Sequence, residues 1–402
     1  IKINTLTAKY GTPLFIYDTG LMKERYEAFL NTVKKVQGNI HYAVKANDSV
    51  NIIRFFGKLG AGADIVSIGE FHKCIAAGIS PDKIIFSGVG KDKKEIEIAL
   101  KKNILQFNIE SEEELNDIYE ISSKLKLTAN ICLRINPDIA PNTHKKISTG
   151  EKETKFGIDN EHIFSIYEKL HKLKFINPIG LGVHIGSQIF DFNFFHKAYS
   201  NLKNIANELK ISGFKVPTLD LGGGIGIYYD EEKSPDFNAY KKVISDLFLG
   251  SEYKLRFEPG RSLIAEAGIL VTKVIRNKKN KNKNFIIIDA AMNNLIRPTL
   301  YEAYHKIEPI KKFTGKEIIA DIVGPICETG DFIALNRKVD KVNNNDLLTI
   351  RTTGAYSSVM KSNYNARVDA IEILIYNGKS YQLKKIDTIS DIISKENTIE
   401  FI

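Results

Sequence analysis

The segment His41-Tyr-Ala-Val-Lys-Ala-Asn47 carries an amine at the closing end of an apolar and aromatic run, with no breaker before Asn47. Such a run reads as a short buried strand, and a lysine there is unusual because an unpaired ammonium in an interior is costly. The plainer reading of Lys45 is a snorkelling or ion-paired side chain at a strand end. The chemical reading is an amine whose charged form is disfavoured by its surroundings, able to form a Schiff base with an aldehyde. Other stretches bear on the choice. Thr218-Leu-Asp-Leu-Gly-Gly-Gly-Ile-Gly226 runs a strand pattern into a glycine cluster. Gly222, Gly223 and Gly224 lack Cβ atoms, so backbone N–H groups there can converge on an anion such as a phosphate; a tight loop is the plainer alternative. The spacing is not that of a dinucleotide fingerprint. Phe257-Glu-Pro-Gly-Arg261 sets a carboxylate at a strand end and a guanidinium three residues on. An ion pair closing a loop would explain it, but a carboxylate can also hold a pyridine nitrogen protonated and so make a ring an electron sink. His184, in Val-His-Ile-Gly-Ser187, is either a satisfied core histidine or a flat ring against a cofactor face. Ser87-Gly-Val-Gly-Lys91 lacks Walker spacing and its closing hydroxyl residue, so it carries no nucleotide-loop reading.

These residues need elements to position them. Strand patterns at 40–46, 62–67, 83–88, 104–109, 130–136, 180–186, 218–223 and 254–259 alternate with helical periodicity, as at 20–36, 69–77, 93–101, 112–125, 161–173 and 194–209. Ser111 followed by Glu114 matches a capping box. Eight strands alternating with helices predict an α/β fold with a closed, TIM-like (β/α)8 barrel. Lys45, Ser67, Arg134, His184, Gly222–Gly224 and Glu258 all fall at or just past a strand's carboxyl end, where that fold keeps its active site. After Arg261 the pattern changes to strands at 268–276, 285–289, 319–323, 331–335, 347–352 and 369–385. This predicts a C-terminal all-β domain, sandwich- or barrel-like, joined by the N-terminal strand near Phe15. The expected organisation is 1–20 with the β domain, 21–262 as the barrel and 263–402 as the β domain.

Composition narrows the function classes. A chain of 402 residues with 43% hydrophobic residues buries a sizeable core and is expected to form two domains. Its net charge of +9 is spread thinly, and the one dense basic run, residues 276–284, lacks interleaved aromatics or glycine. A solvated hairpin loop accounts for that run, and nucleic-acid binding is not expected. Cys74, Cys132 and Cys327 have no CxxC spacing, so neither a disulfide framework nor a zinc site is expected. With no membrane-length apolar run and no signal-peptide pattern at the N-terminus, a cytoplasmic location is expected and no membrane partner.

Together these residues resemble the fold-type III pyridoxal-phosphate enzymes, the alanine-racemase-like barrel family with its basic amino acid decarboxylases, over nearly the whole chain. Tyr42-Ala-Val-Lys-Ala-Asn47 resembles the family's Schiff-base lysine motif, and Gly182-Val-His-Ile-Gly-Ser-Gln188 the strand bearing a ring-stacking histidine. The resemblance implies that pyridoxal 5'-phosphate is held by Lys45, His184, Ser187, Gly222, Gly223, Gly224, Glu258, Gly260, Arg261 and Tyr356. Racemases of this family place arginine where Glu258 stands, so the glutamate implies decarboxylation.

Four more stretches resemble the branch that converts meso-2,6-diaminopimelate to L-lysine and CO2 at the end of lysine synthesis: Thr143–Gly150 leading to Lys155-Phe-Gly157, Asn293–Tyr301, Gly324–Asp331, and Gly354-Ala-Tyr356 followed by Tyr364–Arg367. That resemblance implies Cys327 as catalytic proton donor. It implies Arg261, Arg297, Tyr301, Glu328 and Tyr356 as substrate ligands, and a homodimer in which Cys327 and Glu328 serve the partner's site. Departures are Ile68 where glycine is usual, Lys145-Lys146 in place of Pro-Tyr, and Thr329 where serine is common. Ornithine- or arginine-type decarboxylases share the cofactor machinery and form one alternative. A non-catalytic relative that binds a protein is another, and would be expected to lose Lys45, Cys327 or the glycines.

Overall fold

The structure is a computed structural model that describes residues 2–139, 141, 149–150, 154–230, 235–281, 283–311 and 316–399. The chain divides into two compact units, Lys23–Ile227 with Lys233–Leu263, and Ile1–Met22 with Tyr228–Glu232 and Ile264–Ile402.

The first unit is a closed parallel barrel. Its strands are β1 (Asn39–Ala43), β2 (Gly62–Ile65), β3 (Ile84–Phe86), β4 (Gln106–Ile109), β5 (Ala129–Asn136), β6 (Ile176–Val183), β7 (Thr218–Asp220) and β8 (Lys254–Phe257). Each pairs with the next in the chain, β8 pairs with β1 (Phe257↔Ile40), and every pairing is parallel. All eight carboxyl ends therefore open at one mouth. The fold follows from the sequence period: strands such as Ile84-Ile-Phe86 are buried throughout, as strands covered on both faces must be.

Most strands end two or three residues earlier than the apolar runs suggest. β1 stops at Ala43, whose N–H donates to Pro259 O (3.1 Å), and Val44–Ala46 form a 3₁₀ turn. Lys45 thus sits on that turn, just past the strand, rather than in it. Helices follow the strands, several with side-chain caps. Ser67 accepts from the Glu70 N–H (3.2 Å) at the head of Ile68–Ala77, which closes on Gly78 at φ +85°. At Glu112–Leu125 the expected capping box is only half made. Ser111 accepts from the Glu114 N–H, but the Glu114 carboxylate turns to the Glu110 N–H and the Lys91 ammonium instead. A buried cation outcompetes one backbone donor. Helices Val50–Lys58 and Phe237–Phe248 were not singled out by periodicity.

In the second unit the N-terminal strand Leu14–Asp18 lies between Gly268–Asn280, antiparallel, and Ile371–Tyr376, parallel. Leu6 of the short helix Ile3–Tyr10 joins Leu14, Ile16, Val271 and Ile373 in one apolar cluster. The basic run is not a loop: antiparallel pairing of Gly268–Asn280 with Lys283–Ile288 continues to Asn280↔Lys283. Pairing satisfies the backbone while long cationic side chains stay exposed, so charge does not stop the strand. Among the described residues no helix is long and apolar enough to cross a membrane.

Candidate active site

β1 and β8 are neighbours, so Lys45 and Glu258 rise from adjacent strand ends at the same mouth. The Lys45 ammonium lies 3.5 Å from Asp64 Oδ2, a carboxylate with no solvent exposure at all. Its charge also acts on Glu70, whose carboxyl is pushed up to about 7 by burial. Asp64 is a residue that sequence reading missed. A carboxylate within the apolar run Gly62–Ile65 was the available signal, since a buried charge requires a partner.

Glu258 is buried, accepts from Asn108 Nδ2 (3.1 Å) and has its acidity strongly suppressed, first by burial and then by the nearby charges of Asp220 and Asp64. Asp220 is likewise pushed up by burial, with the Gly222 N–H (3.1 Å) and Gln106 Nε2 (2.9 Å) as its donors. Two interior carboxyls this close to each other favour sharing a proton over ionising together. Gln106 also donates to Asn108 (2.6 Å), which donates to Ser87 (3.0 Å). Gln106, Asn108 and Asp220 were not anticipated, although polar residues inside strand patterns mark them in retrospect. The Ser87–Lys91 stretch, set aside as a nucleotide loop, serves the barrel. Lys91 is buried and donates to Gly88 O, Asn108 O and Glu114.

The glycine cluster closes tightly on its neighbours. A Cβ on Gly222, at φ +63°, would come 2.6 Å from Val183 O, and one on Gly223 would collide with Glu258 O. Their donors are spent within the protein: the Gly222 N–H on Asp220, and the Gly223 N–H on His184 Nδ1 (3.2 Å). Among the described residues the N–H groups of Gly224 and Gly260 have no acceptor, so those two, rather than all three glycines, are left open for an anion. His184 is held neutral by burial, with the charges of Lys45 and Arg134 acting the same way. Because Nδ1 accepts, its proton sits on Nε2. Arg261 is buried and donates to Ser187 Oγ through Nε (3.3 Å) and Nη2 (3.1 Å).

The remaining predicted residues belong to the second unit. Arg297 and Tyr301 begin and end one short helix. Arg297 is buried, while Cys327 and Glu328 are exposed. Asp331 ties their segment down by accepting from the Ile326 (2.6 Å) and Met292 (2.7 Å) N–H groups. The Cys327 N–H donates to Asn365 Oδ1 (3.1 Å), and a hydrogen bond to Glu328 raises the Tyr364 hydroxyl's pKa. Tyr356 is half-buried at φ +55°, a conformation uncommon for a bulky residue and concentrated at functional sites. Lys145 and Lys146 lie outside the described residues. Cys74 and Cys132 are buried, as a structural reading expects, and burial pushes the Cys74 thiol up to about 12.

Pyridoxal phosphate fits the barrel residues. Lys45 offers the amine for its aldehyde, the open N–H groups of Gly224 and Gly260 face an anion's requirements, and Glu258 is a proton-retaining carboxyl suited to a ring nitrogen.

Comparison with known proteins bears on this fit. Residues 19–265 match the model of the pyridoxal-dependent decarboxylase, pyridoxal binding domain. The diaminopimelate decarboxylase of Zymomonas mobilis is 43% identical, across 100% of this chain and 96% of its own. That of Aquifex aeolicus is 42% identical, across 98% and 93%. The crystal structure of the Helicobacter pylori diaminopimelate decarboxylase complexed with L-lysine superposes with a TM-score of 0.94 at 37% identity, covering 98% of this chain and 99% of that one. With a family-model match over most of the chain and similarity over its full length, the chain belongs to the diaminopimelate decarboxylase family of pyridoxal-dependent decarboxylases.

Proposed function

We propose that this chain removes CO2 from meso-2,6-diaminopimelate to give L-lysine, the closing step of lysine biosynthesis, with pyridoxal 5'-phosphate as cofactor. The observation that carries the reading is the meeting of Lys45, His184 and Glu258 at one barrel mouth, in a chain similar over its full length to diaminopimelate decarboxylases. When bound, the cofactor supplies an electron sink for the pair left by departing CO2. Lys45 would hold it through its amine. The open N–H groups of Gly224 and Gly260, with Ser187, Arg261 and Tyr356, would hold it, on a turn shaped by the Cβ-free Gly222 and Gly223, and the neutral His184 ring would lie beside it. Glu258 would keep a proton available at its carboxyl for the ring nitrogen. Its burial next to Asp220 favours that role, because burial first and the Asp220 charge second push its pKa well up.

Arg261 and Arg297 suit bidentate carboxylate binding, with Tyr301 and Tyr356 beside them and Glu328 for the distal ammonium. Cys327 returns a proton to the substrate carbon. The exposure of Cys327 and Glu328 in the single chain supports a homodimer in which each subunit lends them to its partner. Three free thiols suit the reducing cytoplasm. Arg297, Tyr301 and Glu328 favour a substrate with a second amino acid end over ornithine or arginine. Lys45, Cys327 and the glycines argue against a non-catalytic binding protein.

The test incubates purified protein and pyridoxal phosphate with meso-diaminopimelate, ornithine or arginine and follows CO2. Release from diaminopimelate alone is expected. Comparable release from ornithine or arginine overturns the substrate assignment.

A further inference from the structure

Arg297 is buried and makes one contact that the proposed chemistry does not use: its Nη1 lies 2.9 Å from Nε2 of His305, a side chain with no solvent exposure. A guanidinium has no acceptor, so Nε2 must accept. The imidazole proton therefore sits on Nδ1, which donates to Arg351 O (2.9 Å). The histidine is neutral, in one tautomer, with each ring nitrogen committed to a different task. Its backbone is held as well, because Arg337 Nη1 donates to His305 O (2.8 Å) and the Arg351 N–H to Lys306 O (2.9 Å). Tyr229 completes the frame: its ring centroid is 4.6 Å from Arg297 Cζ and 5.1 Å from the His305 ring, edge to face.

We infer that His305 is a positioning residue for substrate recognition, fixing the plane of the Arg297 guanidinium so that it meets the carboxylate retained in L-lysine in a single orientation. Bidentate carboxylate binding depends on that plane, because both N–H groups must point along parallel lines. A neutral acceptor orients the guanidinium without cancelling its charge; a carboxylate at the same place would do both. Tyr229 holds the same plane from its face. The inference rests on the reading of Arg297 as a substrate ligand.

Two amide variants separate this role from a purely structural one. In H305Q the amide oxygen falls near the Nε2 position and keeps the acceptor for Arg297. In H305N the amide N–H falls near Nδ1 and keeps only the bond to Arg351. We expect H305N to raise KM for meso-diaminopimelate about tenfold, the loss of one charge-assisted hydrogen bond, with kcat within about threefold, and H305Q to restore most of the affinity. Inhibition by L-lysine should weaken by the same factor in H305N, while inhibition by 1,5-diaminopentane, which has no carboxylate, should not change. H305L, apolar and of similar volume, takes the place of H305N if that variant does not fold. Wild-type KM in H305N or H305L, or a higher KM in H305Q than in H305N, overturns the inference. R297A separates the two levels. A raised KM there beside a normal one in H305N sinks the positioning role alone, whereas normal KM in both sinks the substrate-ligand reading with it.

Discussion

Two groups of proposed site residues differ in how far a single chain prepares them. At the barrel mouth Glu258, Asp220 and Asp64 are all buried; Gln106 and Asn108 link the first two, which burial and neighbouring charge push toward their neutral forms, and Lys45 pairs with the third. Cys327 and Glu328, in the second unit, are exposed, and their segment is shaped by its own backbone and by Asp331. The first group is preorganised and carries a cost even with nothing bound: a buried carboxyl must be paired, as Asp64 is with Lys45, or be pushed toward its neutral form, as Asp220 and Glu258 are. The second carries almost none, since water solvates it. Preorganised electrostatics of the first kind suits carbanion stabilisation, while residues of the second kind become a site only when something covers them.

The largest effect expected at the barrel mouth is from K45A. It removes the amine that carries the cofactor, so the visible absorption band should vanish and turnover should fall by about a thousandfold or more. Retention of the band would place the link elsewhere. E258Q comes next, with kcat expected to fall by about a hundredfold and KM to change little, because the glutamate acts on charge that exists only as CO2 leaves. Near-normal turnover would show that Glu258 is misassigned. The same variant has a signature without cofactor. A carboxyl whose folded pKa is raised binds its proton more tightly folded than unfolded, so the folded state loses stability as pH rises above the unfolded value of about 4.3. The cofactor-free wild type should therefore melt progressively lower from pH 5 to pH 8. E258Q, which cannot ionise, should show a shallower fall. Asp220, raised by the same burial, leaves some slope in both.

How much of this was legible follows the same division. The barrel could be read because parallel strands covered on both faces leave near-continuous apolar runs, and because its unusual residues collect at one end of them. Strand ends were read two or three residues long. An apolar residue looks the same in a strand as in the turn that follows, and only pairing distinguishes Ala43 from Val44. The carboxyls beneath the site were not read, because Asp64 and Asp220 take their meaning from neighbours distant in sequence, Lys45 and Gln106. The donor role of the glycines was read too generously for the same reason. That Gly222 and Gly223 spend their N–H groups on Asp220 and His184 depends on cross-strand geometry. In the second unit, periodicity placed most strands but missed the short Ile307–Pro309, read the hairpin of Ile371–Tyr376 and Lys379–Gln382 as one segment, and left the fate of the basic run unread.

The exposed group makes its own prediction. If Cys327 serves the partner subunit's site, mixing inactive K45A with inactive C327S should restore activity. With random reassortment half the dimers are mixed and carry one intact site of two, so recovery should approach about a quarter of wild type. No recovery would mean that Cys327 works within its own chain or not at all, and the contrast between a finished and an unfinished region would lose its functional meaning.

The smallest effect expected belongs to Ser187, at the edge of the preorganised group. Its hydroxyl accepts from both Nε and Nη2 of Arg261, so S187A removes an acceptor from a buried cation without removing the cation. An unmet buried donor costs about 1–3 kcal/mol, and Arg261 keeps its place only if other groups or a bound phosphate take up those N–H groups. Cofactor affinity, titrated by the visible band, should weaken between about threefold and tenfold, with kcat at saturating cofactor nearly unchanged. A loss of kcat at saturation, with affinity intact, would move Arg261 from holding the cofactor to acting on the substrate. The hydroxyl would then belong to the chemistry rather than to the seat beneath it.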